Sequence, residues 1–502
     1  MTVAIIGAGP SGLVAAKEAR QCGLVPTVFD EGNAIGGQWK PEGGTIWDSM
    51  RINNSRHAAS FSDHEWGEGS DDFPTRADVY EYLCSYADRF NIHRDVLLNS
   101  RVTSIERSGD KWRLKWVNGE QSKSSIFDSV IICTSIFSRI YMPEIPGLDT
   151  FPGSIFHARD YRSPAPFQGQ SVAIVGNAFS GCDISAEIAS CAKEVYSIFP
   201  RIKWVMSRYL KERDSARILP FDLALYSRAT VSKYQGLAPH ELNARIQNIY
   251  STLCHKQAEI CPELALPVTS AAPLFLSISD SYLLEVKRGT IVPKKGSITR
   301  VEGSTLHLSN GESIIVDSLI FCTGYRADLP FFSPQIQEQL GFRQDDPDLI
   351  QPFLLYKTVF HPELPNMAFV GMARLGIVFG PAELQARLAC LTLSGKLPWP
   401  TKAAMEEGIR AEQTLRDMNP RPQFVRGYIG FCDDLAKMIG VLPDFDTLRE
   451  EDPPLYAKLW DGPFTTASYR LTGFGSDRAF ATKKIDVLVR IVGKPFLNPE
   501  CV

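Results

Sequence analysis

The sequence predicts an α/β protein built around two copies of one strand–turn–helix unit. The first copy, Val3–Leu13, is an apolar strand that runs into a glycine-rich turn and then into a helix. The second copy, Val172–Gly181, repeats this order about 170 residues later. Units of this kind form Rossmann-like domains, because glycines let backbone N–H groups approach a pyrophosphate at a helix N-terminus. We therefore expect two Rossmann-like dinucleotide-binding domains and two dinucleotides on one chain.

The first domain is predicted to start at the N-terminus and to bind its dinucleotide through the first turn. Pyrophosphate contacts are expected from Gly7, Gly9, Pro10, Ser11 and Gly12. The next strand ends on Asp30 and Glu31, where an acidic side chain binds a ribose 2′-hydroxyl; the alternative for Asp30 is a surface turn. Gly37, Gln38 and Trp39 follow in a loop that is expected to wrap the cofactor, and Val102 is assigned to the same site.

Prolines between residues 143 and 166 mark the crossover from the first domain, 1–165, to the second, 166–317. Pyrophosphate contacts in the second domain are expected from Gly176, Ala178, Ser180 and Gly181. Ala178 stands where a central glycine is usual. Three basic residues and no acidic one follow the strand Glu194–Phe199: Arg201, Lys203 and Arg208. Basic side chains at this place favour the 2′-phosphate of NADPH, and a charged surface loop is the alternative.

The rest of the chain, 318–502, is predicted to return to the first domain and to end in a helical region. The apolar strand Ser318–Phe321 leads into Thr323, Gly324 and Tyr325, which are assigned to cofactor binding. The first domain is therefore discontinuous, and the second is inserted into it. The irregular segment 208–277 is expected to shape a substrate pocket, and the short charged run Ile485–Val492 is predicted to be a strand.

Composition excludes several classes of protein. The net charge of −4 gives no basic footprint for nucleic acid. The 11 cysteines form no Cys-x-x-Cys pair and no cluster with histidine, so neither a redox dithiol nor a metal site is predicted. No apolar run reaches the ~18 residues that cross a bilayer, and the first strand leaves no room for a signal peptide. We expect a soluble, cytoplasmic protein with reduced thiols.

The linker before the second glycine turn carries the most specific motif of the chain. Residues Phe151, Gly153, His157 and Tyr161 match every fixed position of the pattern F-x-G-x-x-x-H-x-x-x-Y. In this, the chain resembles the class B flavin-containing monooxygenases. The resemblance covers nearly the whole chain, since further segments are similar to family segments: Trp204–Arg208, Phe321–Tyr325, Leu355–Lys357, Pro381–Arg387, Gly462–Phe464 and Tyr469–Leu471. Related Baeyer–Villiger enzymes usually carry Trp at the position of Tyr161, which favours the branch that oxygenates nitrogen or sulfur.

The resemblance implies the cofactors and the reaction. The first turn is expected to bind FAD and the second to bind NADPH, which reduces the flavin. Reduced flavin then adds O₂ at C4a, and the hydroperoxide gives one oxygen atom to a soft nucleophile of a small molecule. That nucleophile is an amine or indole-alkaloid nitrogen, or a sulfur. The alternatives are a Baeyer–Villiger monooxygenase acting on ketones and an uncoupled NADPH oxidase, and a homodimer is left open.

The catalytic side chain is expected in the loop 47–56. By register, Asn53 matches the active-site asparagine of the family, and Asn54 is the second candidate. An amide can donate a hydrogen bond to a developing oxyanion while accepting one from a ribose. The alternative is that both asparagines only form a turn, since asparagine favours left-handed backbone. His157 is expected to orient the interdomain linker rather than to transfer protons.

Overall fold

The structure is a computed structural model that describes residues 1–135, 137–212, 216–254, 257–266, 276–342, 353–373, 378–418 and 427–493. Up to residue 165, its strands and helices are β1 (Thr2–Ile6), α1 (Pro10–Gln21), β2 (Val25–Phe29), α2 (Arg76–Arg89), β3 (Val96–Leu97), β4 (Ser100–Ser108), β5 (Lys111–Asn118), β6 (Gln121–Phe127), β7 (Ser129–Ile132), β8 (Arg139–Ile140) and β9 (Ser154–His157).

From residue 166 to residue 317, the elements are β10 (Ser171–Val175), α3 (Phe179–Ile188), β11 (Glu194–Phe199), β12 (Trp204–Met206), β13 (Tyr209–Lys211), β14 (Ile218–Pro220), α4 (Phe221–Leu225), α5 (Arg228–Ser232), α6 (Pro239–Leu253), α7 (Gln257–Ile260), β15 (Leu276–Ile278), α8 (Tyr282–Arg288), β16 (Ile291–Lys295), β17 (Ile298–Glu302), β18 (Thr305–Leu308) and β19 (Ser313–Ile315).

After residue 317, they are β20 (Ser318–Phe321), β21 (Tyr325–Arg326), α9 (Pro334–Gln339), β22 (Met367–Phe369), α10 (Phe379–Leu393), α11 (Lys402–Asp417), α12 (Tyr428–Ile439), α13 (Phe445–Glu451), α14 (Pro453–Trp460) and α15 (Arg478–Val492).

Two five-stranded parallel sheets with the same topology organise these elements. The first has the strand order β22-β7-β1-β2-β3, and the second has the matching order β9-β20-β10-β11-β16. Each half also contains a three-stranded antiparallel sheet, β4–β6 in the first and β17–β19 in the second. The next strand in the chain then pairs with the central strand, β7 with β1 and β20 with β10. Helices α1 and α3 follow the central strands β1 and β10. The predicted α/β fold with two Rossmann-like domains is confirmed.

Two strands lie on the other side of the boundaries expected at residues 165 and 317. β20 pairs in parallel with β10 and β9, so it belongs to the second sheet and does not return to the first. β9, which was expected in the first domain, is the edge strand of that second sheet. The chain rejoins the first sheet only at β22, beside β7. A buried parallel strand is a plain apolar run, and such a run does not show which sheet it will join.

The C-terminal region is helical, including the run that was predicted to be a strand. That prediction is wrong, because Ile485–Val492 is the second half of α15. The buried residues of this helix, Ala481, Lys484, Ile485, Leu488 and Val492, recur every three or four positions, which is the period of one helix face. Among the residues that the structure describes, no helix is both long and apolar enough to cross a membrane.

A buried cluster of charges holds the C-terminal region against the first domain. The Arg470 side chain is 2% exposed. Its Nη2 donates to the carboxylates of Glu18 at 3.2 Å and Asp63 at 3.1 Å, and also to Glu383. Lys17 adds a second cation at 2.5 Å from Asp63. The cluster joins α1, α10 and the loop after Asn53, so it fixes the framework on which the candidate site is built.

Candidate active site

One large cavity collects most of the residues that the sequence singled out. It has a volume of about 2710 Å³ and lies between the carboxyl ends of β1 and β10. The predicted residues that line it are Gly7, Gly9, Pro10, Ser11, Asp30, Glu31, Gly37, Gln38, Trp39, Asn53, Asn54, Val102, His157, Gly176, Ala178, Ser180, Arg201, Lys203, Thr323, Gly324 and Tyr325. Six others are outside its lining: Gly12, Gly181, Arg208, Phe151, Gly153 and Tyr161.

The glycines of the first turn have three different roles. Gly7 has φ +105°, and a Cβ there would lie 2.8 Å from the Cys133 carbonyl oxygen. A Cβ on Gly12 would lie 1.8 Å from the Gly7 oxygen, so this glycine lets α1 pack onto the turn. A Cβ on Gly9 would meet only the Gly37 Cα, at 3.7 Å. The protein itself would therefore tolerate a side chain at Gly9. We infer that glycine is needed here because a ligand binds close to its Cα.

The second turn repeats this geometry. Gly176 has φ +109° and would place a Cβ 2.5 Å from the Cys322 carbonyl oxygen, while Gly181 would place one 1.9 Å from the Gly176 oxygen. Ala178 corresponds to Gly9, since both precede the first residue of their helix, with φ −79° and −76°. Any residue adopts this backbone conformation. The alanine at this position is therefore compatible with the turn.

The side chains at the ends of the second strands differ between the two sheets. The Asp30 carboxylate accepts hydrogen bonds from the Ala8 N–H at 2.7 Å and the Gly32 N–H at 2.8 Å, so it supports the turn from behind. Glu31 is exposed and lines the cavity. In the second sheet, Arg201 and Lys203 line the cavity. Burial lowers the pKa of Lys203.

Arg208 does not have the place that was expected of a 2′-phosphate ligand. Its side chain is buried, is absent from the cavity lining, and is already bonded to the carboxylates of Asp183 at 2.8 Å and Asp280 at 3.1 Å. Charge after β11 indicated a phosphate ligand, but these acidic partners lie 25 and 72 residues away in the chain. No local motif shows such pairs, so sequence reasoning missed them.

The predicted catalytic asparagines lie in a loop that is held from behind. Asn53 and Asn54 both line the cavity, and Asn54 is buried. The next N–H, of Ser55, donates to the Asp222 carboxylate at 2.6 Å. Burial raises the pKa of Asp222 to about 6. This aspartate, on α4, carried no motif in the sequence, and it joins the asparagine loop to the segment that was expected to shape a substrate pocket.

That segment, 208–277, contributes aromatic side chains to the cavity. Phe221, Tyr226 and Tyr250 line it, and the rings of Phe221 and Tyr226 lie 6.5 Å apart. Phe379 and Phe431, from the C-terminal helices, line it as well. Residues 213–215, 255–256 and 267–275 of the segment lie outside the described part of the chain. The described lining offers an apolar, water-excluding wall to a small molecule.

The linker motif joins the two sheets. His157 Nδ1 accepts the Arg159 N–H at 3.1 Å, so its Nε2 carries the proton that is donated to the Gly324 carbonyl at 3.1 Å. Burial lowers the pKa of His157, which keeps the ring neutral. Tyr161 is buried 6.1 Å from the rings of Trp47 and Phe167. This geometry fits a histidine that orients the linker, and it makes Tyr161 a packing residue.

A strained segment closes the first turn from the opposite side. Lys357 and Thr358 have φ +53° and +56°, which is uncommon for residues other than glycine. The Gln385 amide donates to Thr358 Oγ1 at 2.6 Å and accepts the Gly371 N–H at 2.9 Å. Lys357, Thr358 and Gly371 line the cavity, whereas Gln385 lies behind them. The sequence showed only that these segments are similar to family segments, without a role for the residues.

The cavity fits two dinucleotides. Each turn has the left-handed glycine and the close-packing glycine that pyrophosphate binding requires, and the position before the helix is Gly9 in the first turn and Ala178 in the second. Asp30 and Glu31, which both line the cavity, suit a free 2′-hydroxyl at the first site, whereas Arg201 and Lys203 suit a 2′-phosphate at the second. These side chains match FAD at the first turn and NADP(H) at the second.

Comparison with known proteins identifies a flavin-binding family. The family model "FMO-like: Flavin-binding monooxygenase-like" matches residues 1–490. Flavin-containing monooxygenase 5 of Rattus norvegicus is 29% identical over 526 residues, covering 99% of this chain and 93% of that protein. A 4-hydroxybenzoate brominase (decarboxylating) of Pseudoalteromonas luteoviolacea is 28% identical over 487 residues, covering 94% and 90%.

Two solved structures have the same fold. The S-allyl-L-cysteine S-oxygenase of Allium sativum superposes with a TM-score of 0.62 at 23% identity, covering 97% of this chain and 98% of that chain. Cyclohexanone monooxygenase of Rhodococcus sp. Phi1, bound to NADP⁺, has a TM-score of 0.65 at 17% identity, covering 89% and 98%.

Proposed function

Because the chain belongs to the flavin-binding monooxygenase-like family, it is an FAD- and NADP-dependent monooxygenase, and we propose that it oxygenates a nitrogen or sulfur nucleophile of a small molecule. The observation that carries this proposal is that Asn53 opens onto the same cavity as both glycine turns and the aromatic wall. This arrangement supports a reaction in which the electron source, the oxygen chemistry and the substrate share one cavity.

The residues of this chain have separate tasks in the proposed reaction. FAD, when bound, would supply the redox chemistry between NADPH and O₂. The backbone N–H groups of both turns hold the pyrophosphates, and Arg201 or Lys203 selects NADPH. The amide of Asn53 donates a hydrogen bond to the oxygen that develops charge. The aromatic wall excludes water around the substrate. Because a neutral amine or sulfur attacks through its lone pair, no general base is needed to activate it.

Ketone oxygenation and unproductive oxidation of NADPH are the competing outcomes. Tyr161, which stands where the ketone-oxidising branch usually carries Trp, is buried outside the cavity lining. It therefore marks a branch of the family without touching the substrate, and the choice between nucleophile and ketone has to be made by the residues that line the cavity. Turnover of probes from both classes decides it.

The test of the proposal is the variant Asn53→Ala. We expect it to fold, to bind FAD and to be reduced by NADPH, because hydride transfer does not use this amide. Oxygenated product per NADPH should fall at least about tenfold, the lower range for the loss of one active-site donor, and H₂O₂ should replace it. Asn91→Gly is the matched control, since Asn91 is a turn residue with φ +50° outside the cavity lining. Parental product yield in Asn53→Ala would contradict the assignment and leave Asn54 as the candidate.

A further inference from the structure

We propose that Arg208 is a positioning residue that fixes the direction of the Asn53 amide, so that its NH₂ group faces the cavity. The inference rests on the proposed function of Asn53 and adds the residue that orients it. It also gives a role to the one of the three predicted phosphate ligands that does not line the cavity.

Arg208 meets the asparagine loop with three of its hydrogen bonds. Its Nε donates to the Ile52 carbonyl at 3.1 Å, and its Nη2 donates to the Arg51 carbonyl at 3.1 Å and to Asn53 Oδ1 at 3.4 Å. The side chain is 6% exposed. A planar guanidinium that is buried against two backbone carbonyls has little freedom to turn, so it defines the position of the loop.

The chemistry of the two groups fixes the amide. A guanidinium has only donors, so the side of Asn53 that faces it has to be the carbonyl oxygen. The NH₂ group then points away from Arg208, and Asn53 is part of the cavity lining. An amide turned the other way would place NH₂ against the guanidinium and offer an acceptor to the cavity. Arg208 thereby makes the catalytic group a donor.

The same side chain ties this amide to the helix of the second dinucleotide site. Arg208 Nη2 bonds Asp183 on α3, the helix whose first residues form the second turn. Its Nη1 donates to one carboxylate oxygen of Asp280 at 3.1 Å, and the backbone N–H of Arg208 donates to the other at 2.8 Å. The guanidinium therefore belongs to the second domain through ion pairs and holds a loop of the first domain. The orientation of Asn53 depends on that domain contact.

Three variants separate this role from a general effect on stability. Arg208→Lys keeps a cation beside Asp183 but loses the planar fork that reaches the loop carbonyls and the amide. Asn53→Asp keeps an acceptor toward Arg208 and removes the NH₂ group. Arg228→Lys is the matched control: Arg228 is also a buried arginine of this segment, 4% exposed and 2.9 Å from Asp433, but it does not line the cavity or touch the loop.

The first measurement is hydrogen–deuterium exchange of the peptide that covers residues 51–56 in the flavin-loaded enzyme. Arg208→Lys should exchange about two- to tenfold faster there, the range for loss of one net hydrogen bond. Asn53→Asp and Arg228→Lys should leave this peptide at the parental rate. Parental exchange in Arg208→Lys would overturn the proposal, because the arginine would then not hold the loop.

The second measurement is the release of H₂O₂ when NADPH-reduced enzyme is mixed with O₂ in the absence of substrate. Arg208→Lys and Asn53→Asp should release it at least about tenfold faster than the parent, while reduction by NADPH stays at the parental rate. Arg228→Lys should match the parent. Parental release in Asn53→Asp would overturn the assigned direction of the amide.

The two claims fail differently. If the parent protein binds no FAD, or is not reduced by NADPH, the proposed function fails. If Asn53→Ala loses product while Arg208→Lys retains parental exchange and parental H₂O₂ release, only the positioning role fails. If Arg228→Lys changes both readouts as Arg208→Lys does, the effect is a general loss of stability and the positioning role is again rejected.

Discussion

Two alanine substitutions three residues apart should affect different properties of this protein, one its stability and the other its affinity for FAD. In Gly12→Ala the new Cβ would lie 1.8 Å from the Gly7 backbone oxygen, which no side-chain rotation can relieve. In Gly9→Ala it would lie 3.7 Å from the Gly37 Cα, an ordinary contact, and the backbone φ of −76° suits alanine. The first change therefore acts on the fold, and the second acts on the ligand.

The magnitudes follow from these distances. Alanine in place of glycine inside a helix normally stabilises by about 1 kcal/mol, and overpacking costs about 1–3 kcal/mol. A contact of 1.8 Å with fixed backbone lies at the upper end of that cost, so Gly12→Ala should be destabilised by about 2 kcal/mol. Gly9→Ala should change the free energy of unfolding of the flavin-free protein by less than about 0.5 kcal/mol. Its methyl group fills the space that Gly9 leaves at the N-terminus of α1, a space that Ala178 already fills in the second turn. A pyrophosphate that binds close to Gly9 would have to move outward to a position like the one the second turn offers, which should weaken FAD binding about 10- to 150-fold, or 1.5–3 kcal/mol.

Flavin absorbance, FAD titration and denaturant unfolding of the purified variants measure both effects. Gly427→Ala is the control, because Gly427 also precedes a helix with extended backbone, and no described atom lies within 4 Å of its Cβ position. It should keep parental flavin content and stability. Full flavin content with parental affinity in Gly9→Ala, or parental stability in Gly12→Ala, would refute this account of the turn.

Three further predictions concern the cofactor choice, the buried charges and the pH dependence. Arg201→Ala or Lys203→Ala should raise the KM for NADPH by about 5- to 150-fold, or 1–3 kcal/mol, with little change for NADH in steady-state assays. Equal losses for both cofactors would make the residue structural. Arg470→Met should lower the free energy of unfolding by about 3–5 kcal/mol, because the buried carboxylates of Glu18 and Glu383 and the partly buried one of Asp63 lose their shared cation. Adding Glu383→Gln should restore part of it in denaturant titrations. The pKa of Asp222 is raised from 3.8 to about 6, so the folded protein binds more protons than the unfolded chain between these values. The contribution of Asp222 should therefore lower the thermal midpoint as the pH rises from about 4 to 6, and Asp222→Asn should remove this part of the pH dependence relative to the parent; an unchanged slope would contradict the burial of this carboxyl.

Local patterns in the sequence predicted the local parts of the site. The apolar strand, the turn and the helix at Val3–Leu13 lie within one short segment, so their residues report directly on a pyrophosphate site. The linker motif places His157 between the two sheets in the same way. In each case neighbours in the chain are neighbours in space.

Contacts between segments that are distant in the chain could not be predicted from the sequence. The strand partners of β9 and β20 are chosen by sheet edges that form far away in the chain, and an apolar run does not encode them. Arg208 carried charge at the place expected of a phosphate ligand, but its partners Asp183 and Asp280 are on other elements. The buried cluster around Arg470 joins residues that are as much as 452 positions apart.

The most direct test of the account is ¹⁸O₂ labelling of the parent enzyme with NADPH and three probes. The probes are N,N-dimethylaniline, methyl phenyl sulfide and cyclohexanone, and mass spectrometry of each product is compared with the NADPH consumed. We expect one ¹⁸O atom in the amine oxide or the sulfoxide for each NADPH, and no lactone. Labelled lactone alone, or NADPH consumption that ends only in H₂O₂ with all three probes, would contradict the proposed oxygenation of nitrogen or sulfur.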